Sequence, residues 1–401
     1  MRRIIWLAVT IAVVAGIVGV STITYRSSAT LPMIGRAMMP NRGGYPNYYF
    51  VTLGNKVRAF NLTDRLNPAL LGEAEYTWAV GPISDIWTRG ATDYFQLSGK
   101  FYDGSYNRHT VIGNATSSPG LYTWTDYSYY MPSGFESSSR TTGNIYGMAT
   151  WSYRAGSSSA YWWVALHDSS YGYCYVGCYN GSASSYNYVS FRGLPYPGNS
   201  TECQINSYHR PYPTDMCGNE GNWWGPVYIC GYFNNSTTAD TGWVIGYACN
   251  TGSNTYYINY YGGLILIPGG KAWGIKRYAR GADGYLYLFV AAGKKGLQIY
   301  RINSEPQNSN PNYNTTTSGS WAPTEETALD ARDVYVGSDY FAFLVNWGTT
   351  DSSPLVYALD ISNFSSITKI AQANGKYGRK IWVDADRWIT IISDQFVPPS
   401  P

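Results

Sequence analysis

Charged residues are scarce in this chain. Asp, Glu, Lys and Arg make up 13% of its 401 residues, against about 25% in a typical soluble domain. The formal net charge is only +3, and no Lys or Arg cluster longer than a pair follows the N-terminus. Because proteins that bind nucleic acid carry dense positive patches, the sequence excludes nucleic acid as an expected partner.

Histidine and the usual catalytic motifs are scarce as well. The three histidines, His109, His167 and His209, form no zinc-binding pair, and no Gly-x-Ser-x-Gly motif occurs. Hydrolytic triads and zinc chemistry are therefore not expected. The sequence predicts no catalytic residue, no metal site and no cofactor.

Two closely spaced pairs of acidic residues are the remaining candidates for chemistry. Asp384 is followed by Asp386, and Asp330 by Asp333. Such pairs can bind calcium or act as acid and base in glycoside hydrolysis. Both pairs stand beside a predicted strand, where Asp is an ordinary turn residue, and we interpret them as turns.

Helical periodicity is missing from residue 48 onward, whereas aromatic residues are abundant. Tyr occurs 40 times, Trp 15 times and Gly 43 times. Short aromatic and β-branched runs alternate with Gly, Asn, Asp, Ser and Pro, which is typical of strands separated by turns. The pattern predicts an all-β domain over residues 47–401.

An uncharged apolar run over residues 4–25 follows Arg2 and Arg3 at the start of the chain. Its 22 residues exceed the about 20 that cross a bilayer as a helix. We predict a transmembrane anchor or signal segment over residues 1–26, and favour a retained anchor because cleaved signals have shorter apolar cores. The two arginines place the remainder outside the cytoplasm. Residues 27–46 are predicted to be a linker.

The cysteines agree with an extracytoplasmic location. Their number is even, and none has the spacing of a zinc or haem site. We expect disulfides, and pair Cys230 with Cys249 first because both lie in strands that suit a hairpin. Buried free thiols are the alternative. The six candidates are Cys174, Cys178, Cys203, Cys217, Cys230 and Cys249.

Asn-x-Ser/Thr triplets are candidate glycosylation sites in an exported chain. A chain rich in Asn, Ser and Thr also produces such triplets by chance, so they support an external location only weakly. The asparagines are Asn61, Asn114, Asn180, Asn199, Asn234, Asn235, Asn314 and Asn363.

A unit of strand, polar turn and aromatic strand recurs along the chain. Its copies cover residues 85–97, 276–288, 333–344 and 380–391. An alternating third strand follows in several places, at residues 57–63, 297–303 and 355–362. The spacing of the later copies is close to the about 40–50 residues of propeller repeats, which predicts a single β-propeller of four-stranded blades.

The two ends of the domain suggest how the ring closes. Residues 380–394 offer only the first two strands of a unit, and the strands from residue 48 onward resemble later ones. A blade shared between the chain ends would complete the ring. This predicts six blades, with seven as the alternative because residues 48–53 and 388–393 compete for one role.

These units resemble the LVIVD-type propeller repeat, in which a strand, a turn, an aromatic or aliphatic strand and a strand ending in Asp-x-Ser recur. The best copies are residues 332–370, with Asp360-Ile361-Ser362, and residues 48–72. The resemblance implies a surface or secreted propeller with a binding role and transfers no catalytic residue. The composition is also similar to that of surface proteins of thermophilic archaea and their viruses.

Paired aromatic residues are the candidate ligand contacts. Trp162, Trp163, Trp223 and Trp224 offer flat, rigid surfaces that suit sugars or proteins. Adjacent residues of a strand point to opposite faces, so at most one tryptophan of each pair is expected to be exposed.

The sequence thus predicts an extracytoplasmic propeller, membrane-anchored or secreted, that binds a protein or glycan at a cell or virion surface. Its role would be adhesion, recognition or envelope structure. One alternative is a virion surface or spike protein that recognises a host. A glycoside-processing enzyme is the other, and it requires two or more acidic residues converging at the central mouth of the propeller.

The location can be tested by the intact mass and N-terminal peptide of the native protein from membrane, medium and particle fractions. We expect a chain starting at Met1 in membranes or particles, since the apolar run is long enough to remain as an anchor. A chain starting after about residue 25 in the medium would instead identify a cleaved signal segment.

Overall fold

The computed structural model describes residues 2–14, 17–31, 35–40, 47–76, 79, 83–88, 94–102, 107–114, 127–128, 145–155, 159–168, 173–182, 185–193, 195–196, 199–202, 210–219, 226–234, 240–250, 257–303, 315–324, 329–383 and 388–395. Regular structure in these ranges consists of β-strands. None of it is a helix with the length and apolarity needed to cross a membrane.

Six four-stranded sheets in these ranges are built from strands that follow one another in the chain. The first two contain β3 (Gly35–Pro40), β4 (Tyr48–Leu53), β5 (Lys56–Asn61) and β6 (Ala69–Glu75), then β7 (Asp85–Thr88), β8 (Tyr94–Tyr102), β9 (Asn107–Asn114) and β10 (Tyr127–Ser128). The next two contain β11 (Ile145–Ala155), β12 (Ser159–Asp168), β13 (Tyr173–Ser182) and β14 (Ser185–Gly193), then β17 (Arg210–Gly218), β18 (Val227–Asn234), β19 (Thr241–Asn250) and β20 (Tyr257–Pro268). The last two contain β21 (Gly274–Ala279), β22 (Leu286–Ala291), β23 (Leu297–Ile302) and β24 (Thr315–Trp321), then β25 (Ala331–Val336), β26 (Phe341–Asn346), β27 (Pro354–Asp360) and β28 (Thr368–Asn374).

The two ends of the chain share a further four-stranded sheet. It contains β1 (Arg2–Val14), β2 (Ile17–Leu31), β29 (Lys376–Val383) and β30 (Trp388–Gln395), in the order β2-β1-β30-β29. A small sheet of β15 (Pro195–Tyr196) and β16 (Asn199–Glu202) lies between two of the larger ones in the chain. All the strand pairs are antiparallel, as in β1 with β30 and β29 with β30.

The first strands of the four-stranded sheets form a ring. Strands β3, β7, β11, β17, β21, β25 and β29 contact one another in this order, and β29 contacts β3. The other strands of each sheet therefore extend outward from a central axis, which is the arrangement of a β-propeller. The predictions of an all-β fold and of four-stranded blades are confirmed.

The N-terminal segment is part of the shared sheet. Residues 4–25 are predicted to form a membrane helix, but residues 4–14 lie in β1 and residues 17–25 in β2, and the predicted helix is not confirmed. The β-branched residues Ile, Val and Thr are frequent in this run, and such residues favour strands. The prediction of a membrane helix used only the length and apolarity of the run, which do not distinguish a helix from a strand. Residues 35–40, within the predicted linker, form β3.

A sheet with strands from both chain ends closes the ring, as predicted, but its strands are not the predicted ones. Residues 48–53 and 388–393 do not compete, because the first pairs with β3 and β5 and the second with β29 and β1. Strands that precede residue 48 supply these additional partners. The described residues thus contain seven four-stranded sheets, where six blades were favoured and seven were the alternative.

The repeated units correspond to the first two strands of four sheets, as predicted. The first strand of the fourth consecutive sheet, Arg210–Gly218, contains Pro211 and Pro213. Proline is tolerated in an edge strand because its missing N–H faces away from the ladder, and β17 has one ladder neighbour.

The core consists of apolar side chains between neighbouring sheets. Every residue of Phe341–Asn346 is buried, because β26 is covered on both faces. Leu344 packs in a cluster with Phe289 of the preceding sheet, and Phe343 packs with Ile391 of the following one. Each such side chain contributes about 1.5–3 kcal/mol when fully buried, so the blades are held together mainly by apolar packing.

The contact between the inner strands β21 and β25 leaves no space for a side chain at residue 274. A Cβ there would lie 2.5 Å from Asp333 Oδ1 and 2.8 Å from Asp333 Cα. We expect Gly274→Ala to lower the free energy of unfolding by about 1–3 kcal/mol through overpacking, measured by denaturant titration. Gly281→Ala is the control, since its nearest neighbour is Asp339 Oδ2 at 3.1 Å. Equal stability of the two variants would contradict this contact.

Candidate functional site

Four charged side chains from inner strands meet at the axis of the ring. Asp215, Lys276, Asp333 and Lys380 lie on β17, β21, β25 and β29. We call them the axial cluster. Three of them begin copies of the repeated unit identified in the sequence, so the repeat places equivalent positions of different sheets at one level of the ring.

Asp215 connects the other members of the axial cluster. Its Oδ1 atom lies 3.2 Å from Lys380 Nζ, and its Oδ2 atom lies 3.9 Å from Lys276 Nζ. The backbone N–H of Ile275 donates a hydrogen bond of 2.9 Å to Oδ2. One carboxylate therefore links β17 to two other inner strands. These are β21 of the next sheet and β29, which belongs to the third sheet after that of β17.

Asp333 makes a second link between neighbouring sheets. Its Oδ1 atom accepts a hydrogen bond of 2.9 Å from the Val334 N–H, and Oδ2 accepts one of 3.0 Å from the Ile381 N–H. Only 1% of the residue is exposed. The carboxyl group thus joins β25 to β29, and the prediction that Asp333 is a turn residue is wrong. Asp384 and Asp386 lie outside the described residues.

The electrostatics of the axial cluster separate its two carboxyl groups. Burial favours the protonated form of both. At Asp215 the charges of Lys380 and Lys276 outweigh burial, so its pKa is lowered. At Asp333 burial dominates and Asp215 adds to it, so its pKa is raised.

Both lysines of the axial cluster remain protonated over a wide range. Burial alone would lower their pKa values, but the charges of Asp215 and Asp333 outweigh it, and the pKa values of Lys276 and Lys380 are raised. Of their side-chain surfaces, 23% and 20% are exposed. The two lysine side chains are thus largely enclosed but not fully buried.

A second group of side chains lies where the inner strands begin. Trp273 directly precedes β21, Trp347 directly follows β26, and Arg332 is the second residue of β25. Ala331 pairs with Asn346, so the start of β25 and the end of β26 lie at the same end of their sheet. We call Tyr232, Trp273, Arg332, Trp347, Tyr377 and Arg379 the rim band.

The rim band is a continuous series of stacked groups. The Tyr232 and Trp273 ring centroids are 5.0 Å apart, and Arg332 Cζ lies 3.9 Å from the Trp273 centroid. Trp347 follows, with Arg332 Cζ at 5.0 Å, Arg379 Cζ at 4.4 Å and the Tyr377 ring at 5.0 Å. The band therefore extends over parts of four consecutive sheets.

The series continues into buried aromatic side chains. Tyr212 lies 5.1 Å from Tyr232, and His167 stacks on Tyr212 with the ring centroids 5.0 Å apart. Tyr212 and His167 are buried, whereas the members of the rim band are partly exposed. The buried pair thus supports the exposed part of the band from one side.

Backbone hydrogen bonds fix the loops that carry the rim band. The Trp347 N–H donates to the Asp330 carbonyl at 2.9 Å, and the Tyr377 N–H donates to the Gly348 carbonyl at 2.9 Å. The Asp330 N–H donates to Asn346 Oδ1 at 2.8 Å. Tyr377 has a backbone φ of 58°, a conformation that residues other than glycine rarely adopt. The band is therefore held in one arrangement.

The predicted tryptophan contacts do not belong to the rim band. Trp163 is fully buried in β12, which rules it out as a surface contact and corrects that prediction. Trp162 lies in the same strand, and only its backbone is described. Trp223 and Trp224 lie outside the described residues.

The predicted disulfide between Cys230 and Cys249 is not formed. Cys217 and Cys230 are buried free thiols. The strands of Cys230 and Cys249, β18 and β19, are hairpin neighbours, as expected, but Cys230 pairs with Val244. Cys249 lies five residues further along, about 17 Å away, whereas disulfides need Cα atoms about 5.5–6 Å apart. Burial raises the pKa of Cys217 to about 12 and also raises the pKa of Cys230.

The side chains of the other four cysteines, Cys174, Cys178, Cys203 and Cys249, are not described, so their expected disulfides stay predictions. Among the sequons, Asn61 is partly exposed and Asn363 is exposed. Their Oδ1 atoms accept hydrogen bonds from the N–H groups of Thr63 and Ser365. The remaining predicted sites are described by backbone only or lie outside the described residues: Asn114, Asn180, Asn199, Asn234, Asn235 and Asn314.

Solved structures share this fold at low sequence identity. A hypothetical selenium-binding protein from Sulfolobus tokodaii aligns with a TM-score of 0.52 and 8% identity, over 99% of this chain and 93% of its own. The β-propeller domain of Cps50 (Swd1) from Myceliophteria thermophila aligns with a TM-score of 0.43 and 8% identity, over 85% and 93% of the two chains. A protein of unknown function from Desulfotomaculum acetoxidans gives 0.45 and 12%, over 82% and 78%.

The sequence comparisons give no relatives. No protein-family model matches the chain, and no curated protein matches it. The structural similarity, at 8% identity, defines the fold and leaves function to be argued from the side chains.

The axial cluster predicts how stability depends on pH. A raised lysine pKa means that Lys276 and Lys380 stabilise the fold below about pH 10.5 and lose this contribution as the pH rises further. A lowered pKa means that Asp215 stabilises the fold above about pH 4 and loses this contribution in stronger acid. Asp333, with its raised pKa, opposes the effect of Asp215 in the acid range.

The variant Lys380→Met tests the alkaline part of this dependence. We expect a loss of about 2–3 kcal/mol at neutral pH, less than the about 3–5 kcal/mol for one partner of a fully buried pair, because Lys380 keeps some solvent contact. Its stability should also fall less between pH 10 and 12. The exposed Lys369→Met, whose Nζ contacts Gln372, is the control. Denaturant titrations that show the same alkaline slope for all three proteins would contradict the assignment.

Proposed function

We propose that this chain is an extracytoplasmic β-propeller that acts by binding, and that the rim band is its contact surface. The observation that carries this proposal is the unbroken stacking of aromatic rings and guanidinium groups at one end of the ring. Trp, Tyr and Arg are the side chains most often responsible for affinity at interfaces. Rigid aromatic side chains also lose little entropy on binding.

The fixed conformation of the band supports the same proposal. The loops of Trp347 and Tyr377 are held by backbone hydrogen bonds to neighbouring segments. A surface that is already ordered does not lose conformational freedom when a partner binds, and preorganisation of this kind increases affinity. The positive φ of Tyr377 fits a site where local strain is tolerated for function.

The location and blade number belong to the proposal as well. The scarcity of charge, the sequons and the apolar residues 4–25 support an exported chain, either anchored or secreted, at a cell or virion surface. The apolar character of residues 4–25 suits a membrane segment, whereas the structure places residues 4–14 and 17–25 in the sheet that β30 shares. Seven blades are proposed from the seven four-stranded sheets of the described residues.

Glycoside processing is the alternative for which acidic residues at the axis are relevant. Asp215 and Asp333 meet there, and their pKa values shift in opposite directions, as in many acid–base pairs. Each carboxylate, however, accepts backbone hydrogen bonds from the neighbouring strand, and little of either is exposed. A linking role explains these contacts without a substrate, so we favour binding over hydrolysis.

Replacing Trp347 tests the contact surface. We expect Trp347→Ala to weaken binding of the full-length protein to its glycan or protein partners at least about tenfold, as at interface hot spots, because three stacked neighbours lose their common ring. The measurement is binding of detergent-solubilised protein to arrays of glycans and of cell-surface proteins.

The matched control is Trp321→Ala, which removes a partly exposed tryptophan from the outermost strand of its sheet. Trp321 also contacts an aromatic ring, Tyr357, with a centroid separation of 5.0 Å. Circular dichroism and thermal melting show whether both variants fold. Equal loss of binding in both folded variants, or unchanged binding in Trp347→Ala, would show that the rim band is not the contact surface.

A further inference from the structure

Two guanidinium groups share one indole ring in the rim band. Arg332 and Arg379 lie 5.0 Å and 4.4 Å from the Trp347 centroid, and Arg332 also stacks on Trp273 at 3.9 Å. Stacking uses the faces of a guanidinium group, whereas hydrogen bonds are made by the N–H donors at its edges, so an arginine can do both at once. The planar fork of each arginine matches the geometry of a carboxylate or sulfate.

Cationic side chains are concentrated in and beside the band. Arg332 forms a salt bridge with Asp330, and Lys271, which lies over the Tyr232 ring, forms one with Asp240. Burial lowers the pKa of Arg332, and the charge of Arg379 adds to this effect, whereas the charge of Asp330 opposes it. Lys271, Arg332 and Arg379 thus lie along one band, and clustered cations of this kind attract anions.

Two N–H donors in the stacked contact have no hydrogen-bond partner within the described part of the chain. They are Arg332 Nε and Trp273 Nε1, and both atoms are buried. An unsatisfied buried donor destabilises the folded protein, and such groups in folded proteins call for an explanation. Because the Arg332 and Trp273 side chains are in direct contact, one group with several acceptor oxygens can accept hydrogen bonds from both donors.

The character of the band favours a sugar over a protein as the carrier of the anion. Its exposed parts are aromatic and guanidinium groups, without an aliphatic member. The large hydrophobic side chains that are exposed in the described ranges lie outside it, at Leu66, Leu70, Leu266, Tyr285 and Tyr340. Protein interfaces have an apolar, desolvated centre, whereas flat rings beside charged hydrogen-bond donors suit a saccharide.

We propose that the rim band binds an acidic saccharide, whose carboxylate or sulfate group is held by Arg332 and Arg379 while a sugar ring lies against the aromatic side chains. This proposal rests on the proposed function and names its ligand class. It predicts that affinity depends on the negative charge of the sugar and falls as the salt concentration rises.

Matched probes separate the charge from the sugar. The full-length protein is titrated with tetragalacturonate and with its methyl ester, and with a sulfated galactan tetrasaccharide and its unsulfated counterpart. An octamer of glutamate represents an acidic protein segment. We expect one of the two acidic saccharides to bind at least about tenfold more tightly than its neutral counterpart, in line with charged hydrogen bonds, and more tightly than the peptide.

Variants locate the site. Arg332→Gln and Arg379→Gln should each weaken binding of the acidic saccharide about tenfold or more, and Arg332→Lys should restore only part of the affinity because it keeps the charge but loses the fork. Arg301→Gln is the control, since Arg301 also stacks on an aromatic ring, Tyr285 at 4.6 Å, outside the rim band. Thermal melting of each variant excludes unfolding as the cause.

The outcomes distinguish this proposal from the proposed function. Equal binding of acidic and neutral saccharides would overturn the anion site and leave a glycan-binding rim. Tighter binding of the glutamate peptide would overturn the saccharide and point to an acidic protein partner. No binding of any probe, or no difference between Arg332→Gln and Arg301→Gln, would overturn the anion site, and the array measurements with Trp347→Ala would still decide whether the rim binds a partner.

Discussion

The carboxylate of Asp215 is the interaction on which the arrangement of the inner strands depends. It contacts Lys276, Lys380 and the N–H of Ile275, and so brings together strands from three sheets. A charge in a largely enclosed position is stable only when it is paired and hydrogen-bonded. The apolar contacts between blades are non-directional, whereas these polar contacts require one distance and one register. Packing supplies most of the stability, and the axial cluster selects the relative position of the sheets.

The same inner strands connect the axial cluster to the rim band. Arg332 precedes Asp333, and Arg379 precedes Lys380. Each arginine is the extra residue of a β-bulge, at the register shifts between Ala331 and Asp333 and between Gly378 and Lys380. A bulge redirects a side chain, so the arginine reaches the stacked series of the rim while the following residue contributes to the axial links. The register that places Asp333 against the Ile381 N–H therefore also determines how far Arg332 and Arg379 are from Trp347. The polar contacts at the axis and the backbone hydrogen bonds of the rim loops together fix the arrangement of the band.

Repeated patterns made most strands predictable, and the functional side chains were harder to recognise. The unit that begins at Lys276 and recurs at Lys380 located the first two strands of its sheets. Asp215 was not among the predicted site residues, because its hydrogen-bond partner, the Ile275 N–H, is 60 residues away in the chain. Asp333 was interpreted as a turn residue because Asp is common in turns, and its partner, the Ile381 N–H, is 48 residues away. Trp163 looked suitable for a ligand contact, but its burial depends on neighbouring sheets.

Sequence alone determined the all-β class and the four-stranded unit, because alternation and turn residues are local properties. It also predicted a sheet shared by the chain ends, but with other strands than those that form it. The sequence also contains the adjacent residues Arg332-Asp333 and Arg379-Lys380, but it does not show that the two pairs lie close together in the fold. Only the tertiary structure decided that Cys230 and Cys249 lie too far apart for a disulfide, that β1 and β2 complete a sheet with β30, and that arginines and tryptophans of different sheets stack at one rim. These contacts join residues far apart in the chain, and their distances follow from the closure of the ring.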